Sequence, residues 1–95
     1  MNSSENLEVA MAWYRREQWA LLLALSADAD KLEETYDAWL AFASDELRKL
    51  EARGLRVHKI DVEVGALTRW CESEGRPVDG EARAEYARRG LGPEV

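Results

Sequence analysis

One stretch of this chain constrains its fold more than any other. Leu32, Tyr36, Trp39, Ala43, Leu47 and Leu50, with Leu40 beside them, fall within roughly 100° of arc when the chain is wound at 100° per residue. That spacing predicts a long amphipathic helix with one buried face. Asp28 or Asp30 is placed to cap its start, where a carboxylate accepts free backbone N–H groups and meets the positive end of the helix dipole. Glu33 and Glu34 add charge of the favourable sign in the first turn. Gly54 closes the helix near Arg53, because glycine takes the left-handed conformation at little cost. About 22 residues at 1.5 Å per residue is roughly 33 Å of helix, and the rest of the domain must be built around it.

The remaining segments supply its neighbours. "REQWALLLALSADAD", Arg16 to Asp30, reads as a shorter helix with Trp19, Leu22 and Leu23 on one face, broken by its Ser/Asp/Ala stretch and forming a hairpin with the long one. Upstream, "VAMAWY" fits a buried strand, yet Leu7, Met11 and Tyr14 also keep helical spacing; the strand is preferred. "LRVHKIDVEV" is rich in β-branched residues after a turn signal, so Leu55 to Ile60 is read as a strand. Asp61 then caps a helix from Val62 to Glu74, with Val64, Leu67, Trp70 and Cys71 inward, stopped by Gly75 and Pro77. Asp79 caps a last helix, with Ala82 and Tyr86 on one face and Gly90 as terminator.

The expectation is a helix-rich α+β domain, four helices packed on a small two-stranded sheet. Residues 1–8 are read as a flexible N-terminus, 9–90 as one compact domain and 91–95 as a frayed C-terminus. A two-stranded sheet is marginal alone, so either helices cover it or its edge pairs with a second subunit, which makes a homodimer one expectation.

Charge narrows the function classes. The chain of 95 residues carries a net −6, and the excess is local. Asp28 to Glu46 holds seven acids against one lysine, whereas Leu47 to Val95 holds ten basic and nine acidic residues. A nucleic-acid surface needs concentrated positive charge to displace counterions, so binding to nucleic acid, or to an anionic membrane, is disfavoured. Cys71 is the single cysteine and forms no intrachain disulfide. The N-terminal stretch shows no basic leader, and its six-residue apolar run is too short for a secretory core or a membrane span, so a cytoplasmic protein is expected.

The aromatic and basic stretch "AWYRREQW" carries the sharpest functional question. Aromatics interleaved with arginines can stack a ligand and hold its anionic group, and the candidate ligand-binding residues are Trp13, Tyr14, Arg15, Arg16 and Trp70. Against this, two buried tryptophans of about 200 Å² each contribute roughly 10 kcal/mol at about 25 cal/mol per Å², which a small domain can hardly forgo. The core therefore has first claim on Trp13 and Trp19.

His58 and Cys71 are single residues of their kinds, and they make a thiolate nucleophile only where the imidazole touches the sulfur, which the position of Cys71 after Trp70 within a helix argues against. Cys71 reads as a small apolar core residue. His58 reads as a residue of the solvent-facing sheet, or as a pH-sensitive partner of Asp61 or Glu63. No CxxC or HxxxH pair is present, so no metal or other cofactor is expected, although a carboxylate-only site stays open. The acids from Asp28 to Asp37 read as a capped helix start running into an exposed face, or as an acidic docking surface for a basic partner. "GRPVDGEAR" is a candidate anion-binding turn at a helix N-terminus, without a phosphate-loop pattern to support it.

"WYRREQW", "YDAWL" and "RWCESEGRPVDGEARAEYA" together resemble a group of small uncharacterised bacterial proteins, a domain of unknown function, over roughly Val9 to Arg89. The resemblance implies a compact bacterial domain with aromatics at its strand-to-helix junctions, and no activity. Two functions are carried forward. The first is a noncatalytic interaction or accessory module, whose partner is another protein or a second copy. The alternative is a small ligand-binding domain or enzyme with an anion-gripping aromatic pocket.

Overall fold

The ambiguous segment before the first arginine is a strand. In the computed structural model, which describes residues 7–91, β1 spans Glu8–Tyr14 and β2 spans Arg56–Val62. They pair in parallel, with Glu8 opposite Arg56 and Tyr14 opposite Val62. The expectations for residues 1–6 and 92–95 lie outside the described residues, while Glu8 belongs to the sheet. Parallel neighbours cannot be joined by a tight turn and need a long crossover. Here the crossover runs through α1, Trp19–Leu25, and α2, Tyr36–Ala52, which meet through Trp19 against Tyr36 and Trp39 at their N-terminal ends and not as the expected hairpin. After β2 come α3, Val64–Glu74, and α4, Gly80–Arg89. The architecture is the expected α+β domain of four helices and a two-stranded sheet.

Side chains alternate across a strand, which gives each face of the sheet its own helix. Trp13 stacks edge-on against Trp39 of α2, 5.2 Å between ring centroids. Ile60, on the same face as its neighbour Ala12, meets the end of α4 at Gly90. The core joins them: Leu22, Val62, Val64, Leu67 and Cys71 are fully enclosed. Each such aliphatic side chain is worth roughly 1.5–3 kcal/mol of transfer free energy. No helix among the described residues is long and apolar enough to cross a membrane.

Three boundaries differ from the sequence expectations, each because another cap wins. The long helix starts at Tyr36 and has 17 residues, since Thr35 caps it by accepting the Ala38 N–H at 3.1 Å. Neither Asp28 nor Asp30 caps it: Leu32 is extended, Glu33 and Glu34 precede the helix, and Asp37 is the acid of its first turn. The strand expected to end at Ile60 runs on to Val62. Asp61 is therefore a strand residue, and Glu63 caps α3 through the N–H groups of Gly65 and Ala66. The shorter helix does end where the Ser/Asp/Ala stretch breaks the pattern, at Leu25, and Ala29–Lys31 form a separate single turn.

Gly54 and Gly75 do adopt positive φ, +87° and +66°, as helix-ending glycines should. Gly90 does not; its φ is −68°, an ordinary value. What requires glycine there is proximity, for a Cβ at this position stands 2.6 Å from Ile60 Cγ2. Gly90→Ala should thus cost about 1–3 kcal/mol by overpacking, read as a lower urea midpoint with an unchanged m-value. A variant as stable as the parent would show that α4 slides freely on the sheet.

Candidate functional site

Five rings of the aromatic stretch and α2 pack on one another. Trp39 lies at the centre, 5.2 Å from Trp13, Tyr14 and Tyr36 and 5.5 Å from Trp19. Centroid separations of this size at tilted or T-shaped angles are the favourable arrangement of aromatic quadrupoles. The polar tips are tied as well. Trp19 Nε1 donates to the Glu33 carbonyl at 3.2 Å, and Tyr36 Oη donates to the Tyr14 carbonyl at 2.9 Å. Tyr14, Trp19 and Trp39 are buried, while Trp13 is half-buried with Lys59 Nζ 4.4 Å above its ring.

The two arginines of the stretch turn outward to carboxylates of their own chain. Arg15 makes two bonds to Asp61, at 3.1 and 2.6 Å, and Arg16 reaches Asp37 at 2.8 Å while its guanidinium covers the Tyr36 ring. Trp70 stands apart from this cluster. It packs on Tyr86 at 5.6 Å, flanked by Arg76 and Arg89, both of which bond Glu85. The structure thus brings together Trp13, Tyr14, Arg15 and Arg16 and leaves Trp70 on the α3–α4 side.

The other single-copy residues are also accounted for. His58 pairs with Glu8 across the sheet, and neither Asp61 nor Glu63 is its partner. Cys71 is enclosed, and burial pushes its thiol above the usual range, which keeps it protonated and weakly nucleophilic. Among the described residues no group of three or more His, Cys, Asp or Glu side chains is arranged to hold a metal ion.

A polar cluster that sequence reasoning missed sits beneath α4. Arg83, with its side chain only 8% exposed, makes a two-pronged bond to Asp28 at 2.9 and 2.8 Å and a third to Ser26 at 3.2 Å. Asp28 Oδ2 also accepts the Gly80 N–H at 3.1 Å, and Asp79 accepts that of Ala82. The candidate anion-binding turn at "GRPVDGEAR" is therefore filled by the chain's own carboxylates. The Arg83 bonds hold the Asp28 carboxyl below the usual carboxylate range despite burial. Burial is the largest influence and works against the Arg83 charge, but the Asp28 bonds and the neighbouring acidic groups of Tyr14, Asp28 and Asp79 together outweigh it. A signal existed in the sequence: on a wheel starting at Ala82, position 83 lies at roughly 100°, between Tyr86 at roughly 40° and Ala87 at roughly 140°.

Tyr14 reaches this cluster from the sheet, and burial, the largest influence, pushes its phenol up to about 12. In the unfolded chain the value is about 10. A raised folded-state value means the fold prefers the neutral phenol, so the contribution is whole below pH 10 and is lost as pH rises towards 12. About two units correspond to roughly 3 kcal/mol. Stability measured by urea titration should fall steeply across that window, and Tyr14→Phe should flatten the slope. An equal slope in the variant would place the alkaline sensitivity elsewhere.

Among the described residues, two surface depressions have linings without an aromatic residue. One, of about 430 Å³, is lined by Ala27, Asp28, Lys31, Asp79, Gly80 and Glu81. The other, of about 510 Å³, is lined by Leu23, Ala29, Asp30, Leu32 and Glu34. Fold and site together define a small acidic α+β domain with an aromatic core and a buried ion pair. Comparison with protein-family models, with curated proteins and with solved structures returns no match.

Proposed function

We propose that this domain is a noncatalytic interaction module. The observation that carries the reading is the distribution of uncompensated charge. Of the seven acids between Asp28 and Glu46, four have ion-pair partners within the chain: Asp28, Asp37, Asp45 and Glu46. Asp30, Glu33 and Glu34 have none among the described residues, and they stand together in the connection before α2. The alternative, an aromatic pocket that grips an anion, has less support, because Arg15 and Arg16 already face carboxylates and the rings face one another. A surface with charge left over suits a partner better than a ligand pocket whose cations are taken.

The reading is tested by cross-linking the full chain at native level in its own host. A discrete heavier complex of fixed stoichiometry is expected, with a partner protein or with a second copy. A chain that stays at its monomer mass of 10.8 kDa under all growth conditions would overturn it.

A further inference from the structure

We infer that the depression between α1 and the Ala29–Glu34 segment receives a basic amphipathic helix of a partner protein, with one apolar side chain seated on Leu23 and Leu32 and its lysines or arginines against Asp30 and Glu34. The inference rests on the interaction reading above and names its surface and occupant. The floor is apolar, made by Leu23, Ala29 and Leu32, and the rim carries two exposed carboxylates and no cation. Lys31 and Glu33 each stand between two lining residues without lining the depression and offset one another, so the two lining carboxylates set the sign of the rim. The second depression differs in having Lys31 among its acids. Other carboxylates lacking an ion-pair partner, such as Glu17, Glu51 and Glu72, lie on separate elements and line neither depression.

The chemistry of the occupant follows from complementarity. An apolar groove with a one-sign rim selects a helix whose apolar stripe is flanked by the opposite sign, the charges setting orientation and excluding acidic competitors. A second copy of this chain fits poorly. Ten of its 13 cations already bond a carboxylate of their own chain, the exceptions among the described residues being Lys31, Arg53 and Lys59. With a net charge of −6, two copies also repel.

The test titrates the isotope-labelled full chain with a synthetic helical peptide bearing a leucine stripe flanked by lysines, and follows backbone amide shifts. Shifts confined to Leu23 through Glu34 are expected. Asp30→Lys with Glu34→Lys, both exposed positions, should weaken binding at least about tenfold with no change in Tm. A peptide with serine for leucine should weaken it by at least about as much. Shifts centred elsewhere, no shifts, unchanged affinity in the double variant, or equal binding by the serine peptide would each overturn the inference. The two readings fail separately. If complexes in the host survive the double variant, the groove is rejected and the interaction reading stands; if the chain forms no complex at all, both fall.

Discussion

Replacing Arg83 by Met should destabilise the domain by about 3–5 kcal/mol, a large share of the roughly 5–15 kcal/mol that holds a protein of this kind together. Surface pairs such as Arg15–Asp61, with side chains 41% and 65% exposed, are worth little because water already solvates both partners. Arg83 and Asp28 are 8% and 17% exposed, and removal of the guanidinium leaves the carboxylate with the Gly80 N–H and little water. Ser26 loses its donor at the same time. In thermal unfolding this corresponds to a fall in Tm of roughly 15–30 °C. Asp28→Asn added to Arg83→Met should recover at least half of the loss, because the penalty arises from the unpaired charge more than from the missing bond. A single-variant loss below about 1 kcal/mol, the range of exposed pairs, would show that water reaches the cluster.

The same pair sets a pH dependence with a definite sign. The Asp28 carboxyl titrates lower in the folded chain than the unfolded value of about 3.9. Its contribution is therefore present above that value and is lost as the pH falls through the depressed one. Without Arg83 the carboxyl protonates more easily, so the gap in stability between wild type and Arg83→Met should narrow below about pH 4.

The elements were legible where one physical signal dominated. The arc of Tyr36, Trp39, Ala43 and Leu47 located α2, and the glycines at 54 and 75 closed their helices in the conformation expected of them. Starts were harder, because several residues compete for each cap. Asp28 and Asp30 both satisfy the local rule for an N-cap, and nothing local says that Asp28 is claimed by an arginine 55 residues away. Asp61 fails as a cap for the same reason, since Arg15 holds it while Glu63 takes the helix start. Parallel pairing of β1 with β2 was not readable either, for a pair of short strands separated by two helices fits either direction until the crossover is packed. Of the candidate site, the claim of the core on Trp19 was readable from area alone, whereas Trp13, expected beside it, is only half-buried against the cluster. The separation of Trp70 from the other rings depends on how α3 and α4 pack, and sequence spacing carries no information on that.

Among the aromatics, Trp39→Ala should be the most damaging change. Its ring is 7% exposed and touches Trp13, Tyr14, Trp19 and Tyr36, so truncation empties the centre of a five-ring cluster contributed by β1, α1 and α2. Trp→Ala in a core costs about 3–5 kcal/mol from transfer and cavity terms. Lost ring contacts of about 0.5–1.5 kcal/mol each act on the same side, although neighbouring terms do not add fully. A domain this small should then sit near its threshold, with a measurable unfolded fraction in water. Trp13→Ala should cost less, roughly 1–2 kcal/mol, because that ring is half-buried and packs on one other ring, Trp39. The ordering separates two uses of tryptophan: rings that hold a domain together lose stability in proportion to their enclosure, whereas rings that grip a ligand lose affinity with little change in folding. Urea unfolding of both variants reads the order directly. Equal losses, or a stable Trp39→Ala, would mean that the cluster does not anchor the fold and would return the stretch from Trp13 to Arg16 to consideration as a binding surface.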